Sequence, residues 1–396
     1  MASDRRQVVI AGGKRTPVGA FQGSLATVPA TRLGATAIQA ALEVSGVSGD
    51  CVDEVIMGNV LSAGQGQAPA RQAALYAGLP KSVECLTINK MCGSGLKAVM
   101  LASQAIQCGD AEVIVAGGME SMSLSPFLIP RAKTGLQLGH TELVDSIITD
   151  GLWDVYNDKH MGSCAETCVR KYQFTREEQD EFARESYTRA QNAQRDGIFS
   201  KEIVPVEIKD RKGNLSEVAE DDEPQRANFE KMTKIRPAFE KDGTVTAANA
   251  SKINDGAAAV VMMSAEKAAD LGVKTVARIV AQASFSQEPE WFTTAPVRAI
   301  RKVLDKSGLT VDDINLFEIN EAFAAVTMAA EKDLGLDHDK VNIHGGAVAL
   351  GHPIGASGAR ILVTLLNAME SRKAKLGLAT LCIGGGEASA VIVERV

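Results

Sequence analysis

Cys92 is the residue of this 396-residue chain whose surroundings say most about chemistry. It follows the apolar run Leu86-Thr87-Ile88 and precedes Gly93-Ser94-Gly95, which opens a stretch with helical spacing. Small residues on such a strand–turn–helix elbow allow the sharp turn that presents a nucleophile. A thiol at a helix N-terminus feels the positive end of the dipole, so its pKa is expected below the reference of about 8.5. The alternative is a small buried hydrophobe, which is what most free cysteines are.

Three further places could cooperate with it. His352 lies in Gly351-His352-Pro353-Ile354-Gly355, where the following proline and the flanking glycines put it on a loop, poised for acid–base work or simply solvated. Cys382 precedes Gly384-Gly385-Gly386. Those glycines let a ligand or another backbone approach closely, and their N–H groups could serve an oxyanion. Asn320, in Asn320-Glu321-Ala322-Phe323, could cap the following helix or orient a water. His160, Cys164 and Cys168, spaced by four, could share a helix face as zinc ligands. No Cys-x-x-Cys pair accompanies them, and Glu166, on another face, is the one further ligand nearby, so metal is not expected. Gly12-Gly13-Lys14 and Gly345-Gly346 lack the full phosphate-loop and dinucleotide patterns.

The elements that must position these residues alternate. Val8–Ile10, Val52–Val60, Cys85–Asn89 and Ala111–Gly118 have strand patterns, apolar on both faces. Thr31–Val44 and Gly95–Gln107 have helical spacing. An α/β class follows, with a sheet covered by helices on each side. From about Ser121 to Asn249 the charge density rises. Thr175–Arg195 is expected as a helix opened by a capping box, Thr175 with Glu178. Lys209–Arg226 is expected as a polar surface loop. The flanking regions repeat each other: Met91–Ala98 compares with Ile354–Ile361, Asp53–Asn59 with Asp313–Asn320, and Ala111–Gly118 with Leu378–Gly385, each in the same order. The pattern predicts a duplicated βα domain interrupted by an insertion, which would bring both elbows to one central cleft.

Length allows roughly two to three domains. Apolar and charged fractions of 45% and 23% are ordinary globular values, which exclude disorder and collagen. With 4% aromatic residues and a net charge of −7, neither a stacking surface for single strands nor a basic nucleic-acid face is expected. No run of 18 apolar residues exists, so no membrane span is expected. Met1–Gln7 is polar without a signal-peptide core, the last residues are not a peroxisomal tripeptide, and seven cysteines do not form a secreted disulfide framework. A cytoplasmic setting is expected, a mature organellar form being compatible with the same features.

Taken together, Asn89–Gly95 around Cys92, Asn320–Phe323, Gly351–Gly358 and Cys382–Gly386 resemble the thiolase family, over nearly the whole chain. The resemblance implies a five-layer αβαβα fold of two duplicated halves: residues 1–120 with 250–273, a loop domain at 121–249 for coenzyme A binding and oligomerisation, and residues 274–396. It implies acetyl-CoA, acetoacetyl-CoA and CoA as substrates and products, no tightly bound cofactor, and a homodimer pairing into a homotetramer. Gly151-Leu152-Trp153-Asp154 and Asn157–Gly162 are similar to the short-chain acetoacetyl-CoA branch. The reaction implied is the reversible Claisen condensation of two acetyl-CoA through an acetyl-cysteine. By resemblance Cys92 is the nucleophile, His352 takes its proton and Cys382 is the base at carbon. Asn320 holds a water, Gly384 shares an oxyanion site with Cys92, and His160 and Met161 line the pantetheine end. Tyr187, Arg226, Ala227, Asn228, Lys231, Phe239 and Ser251 match coenzyme A contacts. Tyr187, Ala247, Ala248, Ala250 and Val348 match a potassium site. Two positions depart from the family pattern: Lys252 stands where relatives carry Gly or Thr, and Phe292-Thr293 stands where acceptors of 2-methyl-branched substrates have Phe-Pro. A synthase-type relative would lack the second cysteine, and a binding module without chemistry would have lost Cys92 or His352.

Overall fold

The computed structural model describes residues 6–209 and 212–396. Most of the polar N-terminal stretch, Met1–Arg5, therefore lies outside the described residues, as do Asp210 and Arg211. The main strands are β1 (Val8–Arg15), β2 (Glu54–Gly58), β3 (Glu84–Ile88), β4 (Val113–Ser121), β5 (Asn254–Ser264), β6 (Ala277–Ser286), β7 (Leu316–Ile319), β8 (Leu376–Ile383) and β9 (Glu387–Arg395). The helices that matter here are α1 (Ala30–Ser45), α2 (Pro69–Tyr76), α3 (Ser94–Cys108), α4 (Met161–Tyr172), α5 (Arg176–Arg195), α6 (Ala295–Ser307), α7 (Ala324–Leu334), α8 (Ala347–Leu350) and α9 (Ser357–Arg372).

Strand order exposes the duplication. The first half runs β3-β2-β4-β5-β1 and the second β7-β8-β9-β6. In each, parallel pairs are followed by antiparallel ones: β2 with β4, then β4 with β5, against β7 with β8, then β8 with β9. A parallel bridge from Phe317 to Val341 stands where β3 stands in the first half. The halves join edge to edge through Val9–Arg278 and Ile10–Ala277.

Strand alternation sorts the side chains into layers. Val9, Val55, Val113 and Val261 face α1 and α2, whose Leu33, Ile38 and Ala73 bury against them. Their neighbours Ile10, Ile56, Ile114 and Met262 face inward, onto Leu96 and Val99 of α3 and Ile361 and Leu365 of α9. The opposite face of that central helical layer meets Leu381 and Val393, and α6 covers the outer face of the second sheet with Ile300 and Val303. Five layers result, as expected. β4 and β5 are buried along their whole length. β3 departs from the expected two-faced burial: it is the edge strand, and Leu86 is 42% exposed.

α3 and α9 cross closely because both carry glycine at the contact. A Cβ on Gly95 would sit 2.7 Å from the Ala359 nitrogen, and one on Gly358 would sit 2.3 Å from the Leu96 nitrogen. These glycines occupy equivalent positions of the repeated elbow, so the crossing is two-fold in character.

In the insertion, the Thr175–Glu178 capping box forms as expected and opens α5. Lys209–Arg226 is not simply a surface loop. Leu215–Val218 pairs with Val206–Lys209 as a hairpin, and Asp221 is buried in a two-pronged contact with Arg15 at 2.7 and 2.9 Å. Burying Arg15 is tolerated because Asp221 and Glu202 both face it.

Candidate active site

Cys92 sits at the tip of the β3–α3 turn. Met91 before it has a φ of 47°, a left-handed conformation that is strained for a side chain with a Cβ. Ser94 holds the turn: its hydroxyl accepts from the Lys90 N–H at 2.8 Å and donates to the Met91 carbonyl at 2.7 Å. The equivalent Ser357 donates to the Pro353 carbonyl at 2.9 Å. It also lies 2.5 Å from Nδ1 of His352. One hydroxyl has one hydrogen, and Pro353 receives it, so Ser357 accepts from Nδ1–H. His352 is thereby held as the Nδ1–H tautomer, and its Nε2 is left with a lone pair. That nitrogen is buried with no partner among the described residues. Such an orphan is costly in a merely structural role.

Other contacts hold the loop that carries His352. Its N–H donates to Asn254 Oδ1 at 2.9 Å. Glu120 is buried beneath and accepts from the N–H groups of Gly355, Val60 and Leu61 at 2.9, 3.0 and 3.2 Å. Asn320 follows β7 but does not cap α7, whose N-cap position is Phe323. Its Nδ2 lies 3.5 Å from His352 Nδ1, and its Oδ1 faces Arg360 at 3.4 Å. With Nδ1 already donating to Ser357, the Asn320 amide hydrogens remain free for an oxygen of substrate or water. Ser357, Asn254 and Glu120 were not singled out from sequence. Ser357 had a signal, since it repeats the hydroxyl that holds the Cys92 turn.

The β8–β9 turn that follows Cys382 meets the Cys92 elbow. A Cβ on Gly93 would lie 2.3 Å from Ile383 Cδ1, and Lys90 pairs with Glu387 across the gap. The Gly384 N–H and the N–H of Cys92 itself both point at the Cys92 sulfur. Cys382 is fully buried next to Met161, Phe292 and Phe323, near enough to Cys92 for a charge on Cys92 to raise its pKa.

Electrostatics correct one expectation. The Cys92 thiol is not lowered: burial pushes it up to about 11, against the two N–H groups that favour the thiolate. Loss of solvation at the floor of an apolar cavity outweighs the helix end. Burial also drives His352 down to about 3, helped by the Arg360 charge, so the imidazole is neutral. Cys382 is raised by burial first and then by Cys92. The resting site therefore holds two thiols and a neutral imidazole.

These groups lie at and beneath a cavity of about 460 Å³. Cys92, His352 and Gly384 lie on its surface with His160, Met161, Arg226, Phe239 and Ser251, while Cys382 and Asn320 lie buried behind. His160 caps α4, its Nδ1 accepting from the Gly162 N–H at 3.0 Å, so its free Nε2–H is a donor. Its ring stacks on Phe239 with centroids 4.8 Å apart, and burial lowers its pKa. Gly162 permits that stack, since a Cβ there would sit 2.2 Å from the Phe239 ring. A π-helical turn, Ile147–Leu152, contributes Gly151 and Leu152 to the wall. Ala227, Asn228 and Lys231 are not brought to the cavity wall; Asn228 caps a short helix by accepting from the Lys231 N–H. Cys164 and Cys168 turn instead towards Asp154 and the Ala325 carbonyl. No group of metal-ligating side chains occurs among the described residues.

Of the expected cation residues, Ala247 and Ala250 line the cavity, while Tyr187, Ala248 and Val348 are buried in one cluster beside it. Lys252 reaches into this group. Its Nζ donates to the Ala250 carbonyl at 2.9 Å and the Val348 carbonyl at 3.1 Å, 5.4 Å from the Tyr187 ring centroid.

Comparison with known proteins agrees with this geometry. Residues 8–266 match the family model for the thiolase N-terminal domain and residues 273–395 that for the C-terminal domain. The chain is 54% identical over 391 residues to an acetyl-CoA acetyltransferase of Pseudomonas aeruginosa, covering 98% of this chain and 100% of that protein. It is 53% identical to acetyl-CoA acetyltransferase 2 of Arabidopsis thaliana, covering 98% and 97%. Among solved structures, a thiolase of Ascaris suum in complex with coenzyme A superposes with a TM-score of 0.94 at 45% identity, covering 99% of this chain and 100% of that one. The acetyl-CoA acetyltransferase of Bacillus anthracis gives 0.97 at 42% identity, with 99% coverage of both chains. With both elbows, the shared cavity and full-length agreement in hand, the chain belongs to the thiolase family.

Proposed function

We propose that the protein is an acetyl-CoA C-acetyltransferase, joining two acetyl-CoA into acetoacetyl-CoA and CoA, and reversing that reaction by thiolysis. One observation carries the reading: the Cys92 sulfur meets two backbone N–H groups at the floor of an apolar cavity whose wall includes a neutral, tautomer-fixed imidazole.

The proton inventory dictates the order of steps. Cys92 is a thiol at rest, so it needs a base to attack a thioester. His352 Nε2 takes its proton as sulfur bonds to the acetyl carbon. The N–H groups of Cys92 and Gly384 face the developing oxyanion; losing one such donor typically costs about 2.7–4 kcal/mol of barrier. The departing CoA sulfur takes a proton from Cys382. That leaves Cys382 as thiolate beside a protonated His352, with acetyl on Cys92. The thiolate then removes a proton from the methyl of a second acetyl-CoA. Its enolate oxygen is met by His352 and by a water on the free Asn320 amide hydrogens. The enolate carbon attacks the acetyl-cysteine, the Cys92 sulfur leaves, and His352 returns the proton to it. All three residues end as they began.

The outer cavity suits coenzyme A. Arg226 faces the mouth for nucleotide phosphates, and Met161, Phe239 and the His160 Nε2–H suit the pantetheine arm. Asn228 and Lys231 follow Arg226 outside the cavity wall, where a nucleotide reaching past the mouth would meet them. We also propose a homodimer that pairs into a tetramer; exposed Leu86 on edge strand β3, and Phe127 and Leu138 in the insertion, support it. Because Cys92 and Cys382 work only while unoxidised, a reducing compartment such as the cytoplasm fits best. Steady-state cleavage of acetoacetyl-CoA, its 2-methyl analogue and a C8 homologue, each with free CoA, tests the function. Rapid turnover of the first supports it, and turnover of the C8 homologue alone would exclude it.

A further inference from the structure

Lys252 breaks the family pattern in sequence, and in the structure its ammonium bridges two main-chain oxygens at the edge of the active-site cavity. Two carbonyls converge on Nζ, from Ala250 at 2.9 Å and Val348 at 3.1 Å, with the Tyr187 ring 5.4 Å away. The carboxylates of Glu223 and Glu321 face it electrostatically. Two carbonyl oxygens, with a phenol ring and carboxylates nearby, form a partial cage of the kind a weakly hydrated monovalent cation needs. A second cation there would be set against an ammonium already bonded to two of the five expected ligand residues. The residues present therefore do not fit a free potassium ion.

We infer that the Lys252 ammonium is the resident cation of this cage, replacing a monovalent metal ion and tying the coenzyme A loop to the segment that carries His352. The connection is physical. Ala250 precedes Ser251 on the cavity wall. Val348 lies in α8, four residues before His352, and its N–H is held by Glu321 at 3.1 Å. Lysine joins the two through one headgroup. A lysine also cannot leave, so the loop is braced at any salt composition. Lys252 touches no reacting atom in this scheme; it is a positioning residue.

The inference is tested by ion response. Wild-type protein and the variants Lys252→Thr and Lys252→Met are compared in potassium, sodium and tetramethylammonium chloride at one ionic strength. Thermal midpoint and the kinetics of acetoacetyl-CoA cleavage are both read. The wild type is expected to show the same midpoint, kcat and KM in all three salts. Lys252→Thr opens the cage, so its KM should rise about tenfold in tetramethylammonium, with a smaller change in kcat. Potassium should restore both KM and midpoint better than sodium. Lys252→Met fills the cage without charge and should show the defect without rescue. A potassium-selective rise in the wild-type midpoint or kcat/KM overturns the inference, as does a Lys252→Thr variant indifferent to every salt. If Lys252→Thr does not fold, the wild-type comparison and Lys252→Met decide. The kinetic arm rests on the acetyltransferase reading; the thermal arm does not, so an inactive wild type would refute that reading while leaving the cage to be judged by its midpoint.

Discussion

Ser357 Oγ lies 2.5 Å from His352 Nδ1 and spends its own hydrogen on the Pro353 carbonyl. This contact orients the imidazole and determines which nitrogen can act as base. Its counterpart in the other half, Ser94, uses the same hydroxyl to hold the nucleophile's turn. The duplication thus supplies one device twice, once for the sulfur and once for the imidazole.

Ser357→Ala removes the Nδ1 acceptor and leaves the imidazole free to change tautomer. Losing a buried hydrogen bond of this kind costs about 1–3 kcal/mol, so kcat should fall roughly 10- to 100-fold with KM little changed. Steady-state kinetics with acetoacetyl-CoA check this. An equal loss expressed wholly in KM would assign Ser357 to substrate binding.

Cys92 should react as a thiol, not a resting thiolate. With its pKa pushed up to about 11 and His352 down to about 3, the rate of alkylation by iodoacetamide should climb with pH past 9. A plateau below pH 7 would mean a preformed thiolate–imidazolium pair. His352 also bears on stability. Its folded pKa is below the ordinary 6.5, so the unfolded chain binds its proton first as pH falls. The stability it contributes is present above pH 6.5 and is lost on going towards 3. His352→Asn should therefore lose less stability between pH 7 and pH 5 than the wild type, as read by urea midpoints.

Glu120→Gln exchanges one carboxylate oxygen for an NH2 group facing backbone donors from Gly355, Val60 or Leu61. The Leu61 N–H loses its acceptor if the NH2 takes the Oε1 position, and both the Val60 and Gly355 N–H groups lose theirs if it takes Oε2. A destabilisation of about 1–3 kcal/mol is expected, with a fall in kcat because the His352 loop loses its floor. Denaturant titration beside kinetics separates the two effects.

Gly358→Ala places a methyl 2.3 Å from the Leu96 nitrogen, against backbone that cannot rotate away. Helices α3 and α9 must separate, which should cost about 1–3 kcal/mol or more. Gly385→Ala is a useful contrast. No atom lies near its Cβ, but its φ is 92°, so any loss there reports backbone strain alone.

Much of this site was legible in the residues, for identifiable reasons. The elbow at Cys92, the glycine run after Cys382, the pre-proline loop at His352 and the capping box at Thr175 are local patterns, and local patterns survive into the fold. What depends on three-dimensional surroundings was not legible. The Cys92 pKa went the other way because burial depends on Ile383 and the cavity wall, far along the chain. Asn320 has an N-cap's residue type, but the helix starts later and leaves its amide to the site. Asp221 sits in a run of acidic residues whose composition says surface, and only the fold reveals Arg15 behind it. Lys252 stood out as a departure from pattern, but its target carbonyls come from residues 250 and 348.

The central claim is the division of labour between two sulfurs, and one measurement tests it most directly. Wild type, Cys92→Ser and Cys382→Ser are each mixed with radiolabelled acetyl-CoA in deuterated water, and protein-bound acetyl and α-deuteration of the thioester are followed together. Cys382→Ser should still bind acetyl at Cys92, more slowly because the departing CoA sulfur loses its proton donor, while exchange stops, and Cys92→Ser should bind none. Covalent acetyl on Cys92→Ser, or rapid exchange by Cys382→Ser, would contradict the account.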